Sequence, residues 1–274
     1  MTQPSGDRPT DPAPTRSDPT RSDPTRSDPT APVSRIAAAL AVDTDETRAV
    51  LETASRRLLG ATISISDQEW REPSLLPDWT RAHVASHLCR HADAFGRLAA
   101  GARTGTAAEL YPNDRDVEIA EGADRDGLAL QTDLDTSTGR LDGEFEQLAA
   151  AGRWQQPVQL RRGIRVPAAL LPMGRLFEVA VHHVDLDIGY GFDDLDQRSA
   201  ELCLLWAAIR QQSRTDYPAL RLVTADGTAI DIGAAETTDP VRITGPAPRL
   251  LGWLTGRIDQ SGLDGPSTDL PSFG

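Results

Sequence analysis

All five histidines of the chain fall in two short segments, His83, His87 and His91 in WTRAHVASHLCRHADAF and His182 and His183 in RLFEVAVHHVDLDIGY. Glu178 precedes His182 by four residues and Asp185 follows it by three. Imidazoles and carboxylates are the ligands of divalent transition metals. Two imidazoles and one carboxylate form the donor set of catalytic zinc, which keeps a further position open. On helices, the first set is spaced i, i+4, i+8 and the set Glu178, His182, Asp185 is spaced i, i+4, i+7, so each set forms one stripe.

Each of these residues also has a plainer reading. A histidine at the margin of a helical face is ordinarily hydrogen-bonded or partly exposed, and E-x-x-x-H is a common surface ion pair. The joint pattern favours a metal. Several imidazoles and a carboxylate near a core cost about 1–3 kcal/mol for each polar group left unsatisfied, and a shared cation removes that cost. Spacing leaves open which imidazoles ligate. His183 lies about 100° around the helix from His182, and His83 or His91 could replace His87 after a one-turn shift. Cys89, about 200° from His87, is a packed small side chain rather than a ligand.

Helices must carry these stripes. The polar–apolar pattern predicts a first helix from Asp43 to about Leu59, capped by Asp43 or Thr44, and a second opening at Thr80 and closing at Gly101. A third spans roughly Asp126 to Ala150, and a fourth holds Pro172 in its first turn and ends at Gly189. Between Trp154 and Pro167 the sequence reads as an irregular or hairpin connection whose Arg161, Arg162 and Arg165 form a solvated face. Four helices in about 150 residues predict an antiparallel bundle, here over residues 34–190. Beyond it, residues 191–261 read as a smaller α+β unit. Its elements are a helix near Ser199–Gln211, short strands at Leu220–Thr224, Ala229–Ile232 and Val241–Thr244, a hairpin turn at Asp226-Gly227 and a last helix near Pro248–Leu254. Residues 1–33, built on TRSDP repeats, read as a disordered tail, and residues 262–274 as a flexible one.

Composition narrows the function. A net charge of −13 disfavours nucleic acid and anionic membrane surfaces as partners. The chain has no lysine, so Schiff-base chemistry is excluded, and any anionic ligand must be held by local arginines. The two cysteines, Cys89 and Cys203, are too far apart in sequence to suggest a disulfide framework. With neither a signal-peptide run nor a membrane-length apolar run, the expected location is cytoplasmic.

The segments LLPDWTRAHVASHL, ELYPNDRDVEIAEGADR, GRLFEVAVHHVDLDIGYG and RITGPAPRLLGWLTGR, in that order, resemble the mycothiol-dependent maleylpyruvate isomerase family, over about Val50 to Ile258. The N-terminal half of that family is a DinB-like metal-binding bundle. The resemblance implies an α+β fold in which a DinB-like antiparallel four-helix bundle precedes a small α+β domain. It implies zinc on His87, Glu178 and His182, mycothiol as thiol cofactor at the open zinc position, and Arg257 as an active-site arginine. The implied reaction is addition of the zinc-activated thiolate to the cis double bond of maleylpyruvate, rotation, and expulsion of the thiol to give fumarylpyruvate. His91 departs from the family pattern as a spare imidazole. His83, His91, Asp185 and Arg175 are candidates for supporting the ligands or binding the substrate. Two alternatives stand beside this reading. One is a mycothiol S-transferase acting on electrophiles or in natural-product biosynthesis, and the other is a non-catalytic metal-binding protein. Monomer and homodimer remain equally open.

Overall fold

The computed structural model describes residues 42–211, 214, 216–233 and 239–273, together with Met1. Apart from Met1, the TRSDP segment lies outside the described residues.

Helix α1 (Thr44–Thr62) starts where Asp43 accepts a hydrogen bond from the Glu46 amide at 2.8 Å, satisfying a donor that has no intrahelical partner. A short helix α2 (Asp67–Trp70) leads into α3 (Arg81–Thr104), which Thr80 caps. This helix outruns the expected end at Gly101. Its C-cap is Gly105, which adopts φ 78°, whereas Gly101 sits inside the helix with a Cβ position 2.8 Å from the Thr106 carbonyl oxygen. The glycine at 101 therefore serves close approach of the returning chain rather than helix termination.

Helix α4 (Arg115–Ala123), opened by Asp114, was not foreseen. It buries only Ile119 and Ala123, too few positions for a periodic signal. Then come α5 (Gly127–Ala150), capped by Asp126, and a two-stranded hairpin of β1 (Pro157–Gln159) and β2 (Arg165–Pro167). Helix α6 (Leu171–Asp185) follows, with Pro172 in its first turn as expected. Helices α1, α3, α5 and α6 make the antiparallel four-helix bundle, and every residue of α6 is buried.

Such complete burial of α6 is explained by what covers it. Helix α7 (Gln197–Gln211) of the C-terminal unit lies against it and is apolar on most of its surface. Beyond α7, strands β3 (Leu220–Thr224), β4 (Ala229–Ile232) and β5 (Val241–Gly245) form a sheet of order β4-β3-β5, with β3–β4 antiparallel and β3–β5 parallel. The β3–β4 turn contains Gly227 at φ 90°, as its sequence predicted. Helix α8 (Ala247–Leu254) packs on α7 and the sheet. The segment after Gly262, expected to be flexible, is held at two places. Thr244 and Asp264 exchange backbone hydrogen bonds at 2.8 Å, and Phe273 is buried. Gly/Pro/Ser-rich composition hid a tail anchored by a backbone pair and one buried aromatic side chain.

The contact between bundle and C-terminal unit is tight at Gly174 of α6. A Cβ there would stand 2.5 Å from Cζ2 of Trp206 on α7 and 2.9 Å from Cε2 of Phe95 on α3. Both rings are 2% exposed and have nowhere to move. Gly174→Ala is expected to destabilise the fold by about 1–3 kcal/mol despite the better helix propensity of alanine. Urea denaturation measures this, and a variant as stable as the parent would contradict the packing.

Candidate metal centre

Helix α3 presents His87 and His91 to the interior and α6 presents Glu178 and His182, so the two stripes read from sequence face one another. One ligand atom each from His87, Glu178 and His182 lies within 4.8 Å of the others. The Glu178 Oε2 atom is 2.9 Å from Nε2 of His87 and 3.2 Å from Nε2 of His182. The two imidazole rings stand nearly perpendicular, centroids 4.6 Å apart. All three side chains are buried, with Glu178 6% exposed. Two nitrogens and a carboxylate oxygen converging in a buried place fit a divalent cation of borderline softness, zinc among them.

The electrostatics follow from burial and from these contacts. Burial lowers the His87 pKa to about 4, leaving it neutral and able to donate a lone pair at pH 7. Burial also opposes charge on His182, but hydrogen bonds to Asp185 and Glu178 outweigh it and raise its pKa. Burial would raise the Glu178 pKa, yet His91, His182 and His87 together hold it well below the usual carboxylate range.

Around the three donors the structure sorts the remaining candidates. Asp185 accepts a hydrogen bond from His182 Nδ1 at 2.8 Å, which leaves Nε2 directed at the cluster. Arg257 donates to Asp185 through Nε at 3.1 Å and Nη2 at 2.9 Å, a two-point clamp that reaches from the end of α8 back to α6. His91 stands apart from the three. Its Nε2 is 3.8 Å from Glu178 Oε1, its ring is tilted against Phe95, and its Nδ1 has no hydrogen-bond partner. His83 is not brought to the cluster. Its Nδ1 pairs with the Thr80 hydroxyl at 2.8 Å and completes the cap of α3. Arg175 does not line the cavity either; it is buried in the bundle and donates to the Leu88 carbonyl at 2.7 Å.

A cavity of about 210 Å³ opens onto the cluster. Its wall combines apolar side chains, among them Phe95, Phe177, Val181, Trp206 and Phe273, with the arginines Arg115, Arg161, Arg162, Arg210 and Arg257. Arg115 Nη2 is 3.1 Å from His87 Nδ1, and Arg210 Nη1 is 3.5 Å from Glu178 Oε1. Arg161 and Arg162, expected to form a solvated face, are exposed yet line this cavity, while Arg165 does not. Sequence reasoning missed Arg115, Arg210 and Phe273. Arg115 sits on the unforeseen α4, whose segment NDRDVEIAEG carries the family resemblance but no helical periodicity. Arg210 ends an ordinary apolar helix, and nothing local marks Phe273. Both cysteines are free and buried, and burial pushes the Cys89 thiol up to about 12, so neither supplies a thiolate.

An antiparallel bundle carrying His, Glu and His on facing helices, closed by an α+β unit that lends arginines to the same cavity, defines the class of protein. The family model of the mycothiol maleylpyruvate isomerase N-terminal domain matches residues 51–187, half of the 274-residue chain, and the chain belongs to this family. Two similar solved structures extend the likeness beyond that domain. A crystal structure of the mycothiol-dependent maleylpyruvate isomerase is 26% identical, with 85% of this chain and 96% of that one covered and a TM-score of 0.71. A histidine-to-alanine mutant of such an isomerase is 25% identical over the same shares, also at a TM-score of 0.71. No curated protein sequence matches the chain. Family and neighbours together support an enzyme of the mycothiol-dependent maleylpyruvate isomerase type. Among the described residues no helix is long and apolar enough to cross a membrane.

Proposed function

We propose that this chain catalyses a mycothiol-dependent cis–trans isomerisation, maleylpyruvate to fumarylpyruvate, with zinc held by His87, Glu178 and His182 and with residues 34–190 and 191–261 as the two cooperating domains. The observation that carries the reading is the position of the three convergent donors in the wall of a cavity also lined by arginines and aromatic side chains. Held by these three residues, a divalent ion would supply the charge that lowers a thiol's pKa enough to make its thiolate available at neutral pH.

The protein's own groups do the rest. Asp185 fixes the His182 tautomer that turns Nε2 toward the cluster, and Arg257 holds Asp185 in place. Arg115, Arg161, Arg162 and Arg210 provide positive charge where a dicarboxylate must be held and where charge develops on a carbonyl oxygen as the conjugated bond is attacked. The aromatic wall residues exclude water, which strengthens those interactions. Buried, protonated cysteines leave the nucleophilic sulfur to a small-molecule cofactor, and two free thiols suit a cytoplasmic location.

Maleylpyruvate is expected to be converted only when mycothiol is present, with the thiol recovered unchanged. Chromatography of both compounds over the reaction measures this. Consumption of mycothiol into a stable conjugate would assign the chain to S-transfer, and undiminished turnover without thiol would remove the mechanism. A protein that binds metal but accelerates neither reaction would be a metal-binding protein only.

A further inference from the structure

We infer that Phe273 is a specificity-determining residue, the side chain that limits how large a molecule the cavity accepts. The inference rests on reading the cavity as the reaction site, and no comparison with known proteins points to it.

From Asp264 to Ser272 the chain is exposed or half-buried and has no regular secondary structure, yet Phe273 is only 8% exposed. Two main-chain anchors bring it there. Arg214 Nη1 donates to the Ser272 carbonyl at 2.6 Å, and Gln211 Nε2, on a residue 1% exposed, donates to the Phe273 carbonyl at 3.3 Å. The ring then stacks on Phe177 with centroids 5.5 Å apart, and the Arg210 guanidinium lies over it at 5.5 Å. Phe177 adjoins Glu178 in sequence, and Arg210 reaches Glu178 Oε1. Phe273 thus forms part of the wall of the cavity onto which the ligand cluster opens.

Three other aromatic wall residues are fixed by the helices that carry them. Phe95, Phe177 and Trp206 stand on α3, α6 and α7, and Phe95 and Trp206 are locked against Gly174. Phe273, in irregular chain, can change size without disturbing a helix. A cavity of about 210 Å³ is small, and one methylene in such a wall changes discrimination by roughly 10–200-fold. Exchange of a phenyl ring for a methyl group should lie in or above that range.

The test compares two probes of equal charge and the same cis arrangement of carboxylates, maleate and the bulkier phthalate, by calorimetry on the full chain as purified. Phe273→Ala is expected to shift the ratio of phthalate to maleate affinity at least about tenfold toward phthalate, and Phe273→Leu to shift it less in the same direction. Zinc content and Tm should stay near the parent's in at least the leucine variant. A purely structural role would weaken both ligands equally. That result, an unchanged ratio in both variants, or no binding of either acid by any of the three proteins would overturn the inference. Failure of the isomerase reading looks different: the ratio shifts, but no mycothiol-dependent turnover accompanies it.

Discussion

His87→Ala and His182→Ala are each expected to yield protein without its divalent ion and without activity. Each substitution removes one of three donors that converge within 4.8 Å. What remains is a buried Glu178 with a single imidazole on Oε2, a pair too weak to keep a strongly hydrated ion. Changing even a residue that orients a ligand typically costs 10–100-fold in metal affinity, so loss of a ligand should exceed about 100-fold. Metal analysis of purified protein gives the first readout, with about one zinc per chain in the parent, and competition with a chelator gives the affinity. The pH dependence has a definite sign. Burial opposes charge on His182, but the hydrogen bonds it donates to Asp185 and Glu178 raise its pKa, so protons compete for Nε2 and metal affinity should fall as pH drops through that raised value. Full metal retention in both alanine variants would exclude the ligand assignment.

Arg257→Ala is expected to lower kcat by roughly 10–100-fold, the scale on which a residue that supports a metal ligand acts, and to lower zinc content by less. The structure makes this residue more than a charged rim. Two of its nitrogens are engaged by Asp185, whose side chain is 0% exposed, and a third donates to the Thr255 carbonyl at 2.8 Å. Removing the guanidinium leaves Asp185 with only His182 as partner, so stability should fall as well, by up to about 3–5 kcal/mol if the pair behaves as a buried one. Arg257→Lys separates the two contributions, since an ammonium keeps the charge but cannot make the two-point clamp. Steady-state kinetics, metal analysis and thermal unfolding on the same preparations read all three. Parallel loss of zinc and activity would mean that Arg257 acts through Asp185 on His182, and unchanged kinetics would take it out of the site.

The helices were legible because each carries its own local signals. Asp43, Thr80 and Asp126 stand at N-caps, Pro172 lies in a first turn, and the apolar periodicity of α3 and α6 marks their buried faces. The three strands of the C-terminal unit were equally plain, down to the glycine of the β3–β4 turn. Where an element lacks such signals the sequence is silent or misleading. Helix α4 is short and buries few residues, Gly101 mimics a terminator inside a helix, and the 262–273 segment has the composition of a loose tail.

By itself, the sequence determined which side chains could bind a cation and on which helical stripes they lie, because residue type and a period of 3.6 are properties of the chain alone. Only the tertiary structure decided that His87 rather than His83 meets Glu178 and His182, that Arg175 is spent on a bundle carbonyl, and that Arg115, Arg210 and Phe273 come from three separate segments to one cavity. The reason is physical. Periodicity specifies a direction around one helix, whereas convergence depends on the relative depth and rotation of packed elements, which close packing at contacts such as Gly174 against Trp206 sets over the whole fold.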